Sequence, residues 1–182
     1  MTIQINYINS GSKKISSNLV LFVDQKFNIN GLKKHISSTE LNYIQDLLKN
    51  SDRENNILNF DLNSKKKIIL INIKDQSNSC DVENLGSEFY DFVKINKLLN
   101  IAINSTSLKA KPRRDFIGRF LHGFKLKSYE FKKYITKKDT KIINVNVFGN
   151  KNIPSSQIKL KFKALEEGTF FARDLVSEPG NI

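Results

Sequence analysis

The sequence predicts an α/β layered domain, a mixed sheet with helices on both faces, followed by one long C-terminal helix. Three observations carry this. Short apolar runs of strand length recur at 3–8, 19–23, 67–73, 98–103 and 141–148. In the later half strand and helix patterns alternate, as when crossover helices cover a sheet. The chain is 39% apolar and 182 residues long, enough to bury one core of ordinary size.

The elements follow in order. Ile3, Ile5 and Tyr7 alternate with Gln4 and Asn6, a half-buried strand. Asn9–Ser17 is a polar loop. Leu19–Val23 is continuously apolar, as in a strand covered on both faces. Ser37 followed by Glu40 is a capping box. It opens a helix over about Thr39–Lys49, with Leu41, Ile44, Leu47 and Leu48 on one side. Ile57–Leu62 and Lys67–Ile73 read as a hairpin, the antiparallel edge. Asp81–Lys97 reads as a helix with Asp81 as N-cap and Leu85, Phe89, Phe92 and Val93 inward. Leu98–Ile103 is a buried-type strand. Arg114 to about Leu126 is a helix with Phe116, Ile117, Phe120, Leu121 and Phe124 at core spacing. Lys141–Phe148 is the last strand. After a loop at Gly149–Ser156, a final helix runs to about Ser177, and Pro179 stops it.

Composition excludes several classes. No apolar run approaches the ~18 residues of a membrane span. Gln4, Asn6 and Asn9 break the first apolar stretch, so no signal peptide opens the sequence. One cysteine, Cys80, cannot form an internal disulfide, which favours a cytoplasmic setting. The net charge is +12, and the 55 residues from Lys109 to Lys163 alone carry a net +13. Such a stretch attracts phosphates, and Arg113, Arg114, Arg119, Lys125, Lys127, Lys132, Lys133, Lys137 and Lys138 are its candidate nucleic-acid contacts. A solvated face in a lysine-biased sequence is the competing reading, because 25 Lys, 22 Asn and 22 Ile dominate the composition.

Motifs for chemistry are sparse. There is no G-x-G-x-x-G, no phosphate-binding P-loop pattern and no G-x-S-x-G. His122 follows Asp115 by seven residues without a paired nucleophile and reads as structural. His35, after Lys33-Lys34, reads as solvent-facing. Cys80, just ahead of the proposed helix start, reads as a structural thiol. Glu167, Asp174 and Glu178 share a helix face. Lys163 and Arg173 beside them make a salt-bridged polar face the simpler reading than a hard-metal site.

The final helix carries more. Ile158, Leu160, Phe162, Leu165, Phe170, Phe171, Leu175 and Val176 spread around much of its girth, which calls for cover on more than one side. Phe162, Leu165, Phe170, Phe171 and Val176 are the candidate interface to something beyond the domain, and the sequence ends six residues after Val176.

Three stretches together carry a family resemblance. Gly118–Tyr134, GRFLHGFKLKSYEFKKY, has an aromatic-rich helix leading into Tyr129, Phe131 and Tyr134. Glu166–Ile182, EEGTFFARDLVSEPGNI, offers Ala172, Arg173, Asp174, Leu175, Pro179 and Asn181. LVLFVDQKF, from Leu19, matches a second strand. In order and spacing these resemble the amino-terminal domain and linker helix of the leucyl aminopeptidase (cytosol aminopeptidase) family, with Ser177 standing where the family often has Asn.

The resemblance implies a macro-domain-like fold for residues 1–150 and a linker helix at 151–182 that leads to a catalytic domain absent from this chain. It implies a hexameric enzyme that removes amino-terminal residues from peptides, with two divalent metal ions, Mn or Zn, and bicarbonate-assisted hydrolysis. Its metal and catalytic residues lie beyond the last matched element, so none is carried over and this chain is expected to be inactive alone, serving assembly or regulation. Some members bind DNA. The Gly- and Asn-rich ADP-ribose loops of macro domains are not recognisable here. The expected partners are thus the catalytic domain, further copies and, as the alternative, DNA.

Overall fold

In the computed structural model, β2 (Asn18–Asp24) is the spine of a six-stranded sheet and all but its last residue is buried. The residues described are 2–8, 18–52, 54–64, 66–74, 77–108, 115–134 and 141–179. The other strands are β1 (Thr2–Ile8), β3 (Ile57–Asp61), β4 (Lys67–Ile73), β5 (Asn100–Asn104) and β6 (Ile142–Phe148). Their order is β1-β6-β5-β2-β4-β3. Neighbours run parallel except β3 and β4, an antiparallel hairpin that forms one edge. The predicted mixed sheet is therefore present, with its antiparallel part at β3. The first strand forms the opposite edge, parallel to β6, with Ile5 level with Val145.

Helices α1 (Ser38–Lys49), α2 (Ser79–Ile95), α3 (Phe116–Lys127) and α4 (Ser156–Ser177) complete the fold. One face of the sheet, through Leu19, Leu21, Ile68 and Leu70, packs on Leu41, Ile44 and Leu48 of α1. The other, through Val20, Phe22, Ile69, Ile71, Val145 and Val147, packs on Phe89, Phe120 and Phe124 of α2 and α3. Because β2 and β4 are covered on both sides, their sequences are unbroken apolar runs rather than alternating ones.

Several details depart from the sequence expectations. Asp81 is not the N-cap of α2. Asn78 is, accepting a bond from the Asp81 amide at 2.9 Å, while the Asp81 carboxylate takes the Asn78 amide at 2.7 Å. Asn caps as well as Asp, and a capping box needs its acid three residues in. Cys80 therefore lies inside the first turn, exposed. Leu98 is buried but precedes β5, which starts at Asn100. The third helix starts at Phe116, after Asp115 in a left-handed conformation with φ 67°. Leu47 is on the outer side of α1, 37% exposed. His35 is not simply solvent-facing, since its Nδ1 lies 2.8 Å from Asn104 Nδ2 at the end of β5.

Two close approaches set the helix layer. A Cβ on Gly123 would sit 1.9 Å from the Glu83 carbonyl oxygen, and one on Gly86 would sit 2.0 Å from that of Phe120. Helices α2 and α3 thus touch backbone to backbone, and only glycine allows it. At the carboxyl end of the sheet, β2–β5 pairing runs through Val20 and Ile103. The buried Ser107 hydroxyl then accepts the Phe22 amide at 2.9 Å and donates to the Asn104 carbonyl at 2.7 Å. A side chain there satisfies the strand amide that the ladder leaves.

Candidate interface on the last helix

Helix α4 begins as its sequence dictates. Pro154 precedes Ser155, whose hydroxyl accepts the Ile158 amide at 3.3 Å. The helix then lies across α3 and beside β1, and its two sides differ sharply.

The inner side is a ladder of specific contacts. Phe162, 8% exposed, packs where Gly118 leaves room; a Cβ there would come within 2.8 Å of the ring. The His122 ring packs tilted against Phe162 at 4.9 Å between centroids. One turn on, Glu166 is buried with both carboxylate oxygens engaged, Oε1 at 3.2 Å from His122 Nδ1 and Oε2 accepting from Lys125 Nζ at 2.7 Å. A buried carboxylate is tolerable only with such partners. Further along, Phe170 packs tilted against Tyr129 at 5.5 Å between centroids, and Arg173 donates to the Leu126 carbonyl at 2.8 Å. Tyr129 donates to Asp174 at 2.9 Å, and Tyr134 and Lys133 both reach Glu178.

A cavity of about 180 Å³ opens at the start of this ladder, lined among others by Tyr7, Lys125, Lys159, Phe162 and Glu166. Lys159 Nζ sits 3.7 Å from the Tyr7 ring centroid, a cation–π contact. Burial first, and the Glu166 charge second, push the Tyr7 phenol up to about 12.

The outer side of α4 has no such contacts. Leu160 is 67% exposed, Leu165 47%, Phe171 65%, Leu175 60% and Val176 88%. Of the five interface candidates, then, Phe162 faces the domain, Phe170 is half-buried on Tyr129, and Leu165, Phe171 and Val176 point outward.

The basic candidates are scattered rather than gathered. Arg113, Arg114, Lys137 and Lys138 lie outside the described residues. The other five each face a carboxylate: Arg119 faces Glu83, Lys125 Glu166, Lys127 Asp91, Lys132 Glu130 and Lys133 Glu178. The acid row of α4 is split likewise. Glu167 sits 3.8 Å from Lys163, while Asp174 and Glu178 turn to the tyrosines. Arg173 goes to Leu126 and the Tyr129 ring rather than to Asp174. Among the described residues no three His, Cys, Asp or Glu side chains are placed to hold a metal. His122 Nδ1 is engaged by Glu166 and His35 Nδ1 by Asn104. No helix among the described residues is long and apolar enough to cross a membrane.

The sequence did not reveal the Glu166–His122–Lys125 cluster. His122 and Lys125 share a face at i,i+3, but only the docking of α4 brings Glu166 to them.

No protein-family profile matches the chain, and no curated protein does. Solved structures do. A mutant of tomato leucine aminopeptidase superposes with a TM-score of 0.67 at 15% identity, over 99% of this chain and 39% of that one. The cytosol aminopeptidase of Coxiella burnetii gives 0.57 at 14% identity, over 95% of this chain and 33% of that one. The macrodomain of Thermus aquaticus DarG gives 0.54 at 11% identity, over 81% of this chain and 99% of that one. The fold is therefore macro-like, and the chain spans about two fifths of the length of the aminopeptidase it overlays.

Proposed function

We propose that the chain is a macro-like, non-catalytic domain of a leucyl-aminopeptidase-type protein, residues 1–150 forming the domain and 151–182 the helix that joins it to a catalytic domain. Its work is assembly and control of access to a catalytic centre carried elsewhere. The observation that carries this is the two-sidedness of α4. Its inner side is fixed by buried polar and aromatic contacts, so the helix is held in place, yet its outer side presents an apolar surface that a free helix has no use for. The likeness in fold over 99% of this chain supports the same reading. So does the way Tyr129 and Tyr134 engage Asp174 and Glu178, because the two stretches that resemble the aminopeptidase family interlock.

In this reading the divalent ions, Mn or Zn, belong to the catalytic domain, and this chain supplies no ligand. The test is hydrolysis of a leucine chromogenic substrate by the purified chain with added Mn²⁺. No turnover is expected, and turnover above a heat-denatured control would overturn the reading. Binding of duplex DNA, measured at two salt concentrations, tests the nucleic-acid alternative. Affinity falling about 0.9 log units per log unit of salt for each phosphate contacted would support it.

A further inference from the structure

We propose that the cavity between β1, α3 and the first turns of α4 binds a small organic anion, a carboxylate or phosphate monoester carried on a short apolar body. The proposal concerns the inner side of α4 and does not depend on the aminopeptidase reading.

The walls come from how the edge strand is covered. Strand β1 is the margin of the sheet, and its Ile5 and Tyr7 face a stretch of α3 where Gly118 carries no side chain. On α4, Lys159, Phe162, Lys163 and Glu166 follow one another at steps of three and four, so a single helix face closes the other side. Ile5, Leu121, Pro154 and Phe162 make an apolar wall. The volume of about 180 Å³ holds far more than one water, whose share of the liquid is about 30 Å³. It is smaller than the roughly 300 Å³ at which pockets for drug-sized molecules begin. The space suits a charged head with a body no larger than one ring.

Charge decides the class of ligand. The ammonium groups of Lys125, Lys159 and Lys163 line the cavity against one carboxylate, that of Glu166. Both oxygens of Glu166 are already engaged, by His122 and Lys125, so a cation entering here finds no free acid. The same two partners offset the repulsion that Glu166 would exert on an anion.

Two donors remain. Lys159 is half-buried, with its ammonium over the Tyr7 ring at 3.7 Å from the centroid, and no carboxylate among the described residues pairs with it. The Tyr7 phenol, also half-buried, makes no hydrogen bond to any described residue. A phenol out of bulk water normally finds an acceptor. Burial raises its pKa to about 12, so it stays a donor through the neutral range. An O–H and an ammonium side by side, beside an apolar wall, match two oxygens of an acid head with hydrocarbon behind it. Lys163, exposed and only 3.8 Å from Glu167, adds positive potential at the mouth.

The test uses the full 182-residue chain with ¹³C-labelled Ile and Leu methyls. Benzoate and phenyl phosphate are the probes, and benzamide is the uncharged comparison. At least one anion is expected to shift the Ile5 and Leu121 methyl signals saturably, with Kd below about 10 mM, and benzamide to bind roughly tenfold more weakly or worse. The tighter of the two anions identifies the head group. Tyr7→Phe and Lys159→Gln should each weaken binding roughly tenfold, while the Ile44 and Ile68 methyls on the opposite face of the sheet keep their positions. Lys161→Gln removes an exposed charge from the same helix outside the cavity and should leave binding unchanged. No saturable shift with either anion overturns the site. So does benzamide binding as tightly as benzoate, binding indifferent to both Tyr7→Phe and Lys159→Gln, or an equal loss from Lys161→Gln and Lys159→Gln, which would show attraction to a basic surface alone.

Discussion

Tyr129 and Asp174 stand 45 positions apart in the chain, and the phenol of the first donates to the carboxylate of the second at 2.9 Å. The bond joins the segment after α3 to the last turns of α4. Arg173 reinforces it by capping the Leu126 carbonyl while lying over the Tyr129 ring at 5.4 Å. Tyr129→Phe should therefore loosen the end of the helix without unfolding the domain. Amide hydrogen exchange is expected to speed up severalfold over 170–177, with β2 and β4 unchanged.

Glu166 holds the middle of α4. Replacing it with Ala leaves His122 without its acceptor and Lys125 without its counter-charge, at a cost of about 2–3 kcal/mol in urea unfolding. Glu166→Gln keeps the shape and one acceptor, so it should cost less. Equal losses for the two variants would show that the charge contributes nothing.

The helix crossing gives a steric prediction. Gly123→Ala drives a methyl into the Glu83 carbonyl, which cannot move without α2, and should cost about 3 kcal/mol. Gly118→Ala meets the Phe162 ring instead, a side chain that can turn, and should cost less. Thermal unfolding of the two variants checks the order.

Alkaline pH should act through Tyr7. Its folded pKa, about 12, lies above the ordinary value of 10.0, so the folded state keeps the proton longer. The stability linked to this group is fully present below pH 10 and is lost as pH rises through about 12. The latest-titrating phenol in tyrosinate absorbance should disappear in Tyr7→Phe, and Glu166→Gln should bring it down, because the carboxylate charge contributes to the rise.

Acid should act through Glu130. The Lys132 ammonium, and after it Lys94, hold its carboxyl down at about 2, below the ordinary 4.5. This stability is present above pH 4.5 and is lost as pH falls toward 2. The group is a third exposed, so after solvent screening it amounts to about 1 kcal/mol. Glu130→Gln should flatten the acid limb of a stability-against-pH curve by that amount.

The elements were largely legible in the sequence because their causes are local. Leu19–Val23 is apolar throughout since both its faces are covered, and Ser37 with Glu40 forms the predicted capping box. What was not legible depends on distant parts meeting. His35 reads in the sequence as solvent-facing after Lys33-Lys34, and only the fold puts Asn104 beside it. Glu166 looks like one more surface acid until α4 lays it on α3. The basic stretch looks like a phosphate-binding strip in one dimension, and in three its five described candidate contacts disperse onto separate carboxylates.

The pairing of Thr2 with Ile142 has a consequence for biosynthesis. Among the described strands the first made meets its only neighbour, β6, last. While the ribosome is still extending the polypeptide, that leading segment has no ladder to join. The nascent sheet must grow from its middle outward, through β2 with β4 and then β5, and seal its far margin at the end. Chains released before residue 142 would therefore expose an unmatched apolar ribbon, Ile3, Ile5 and Tyr7, to chaperones and proteases.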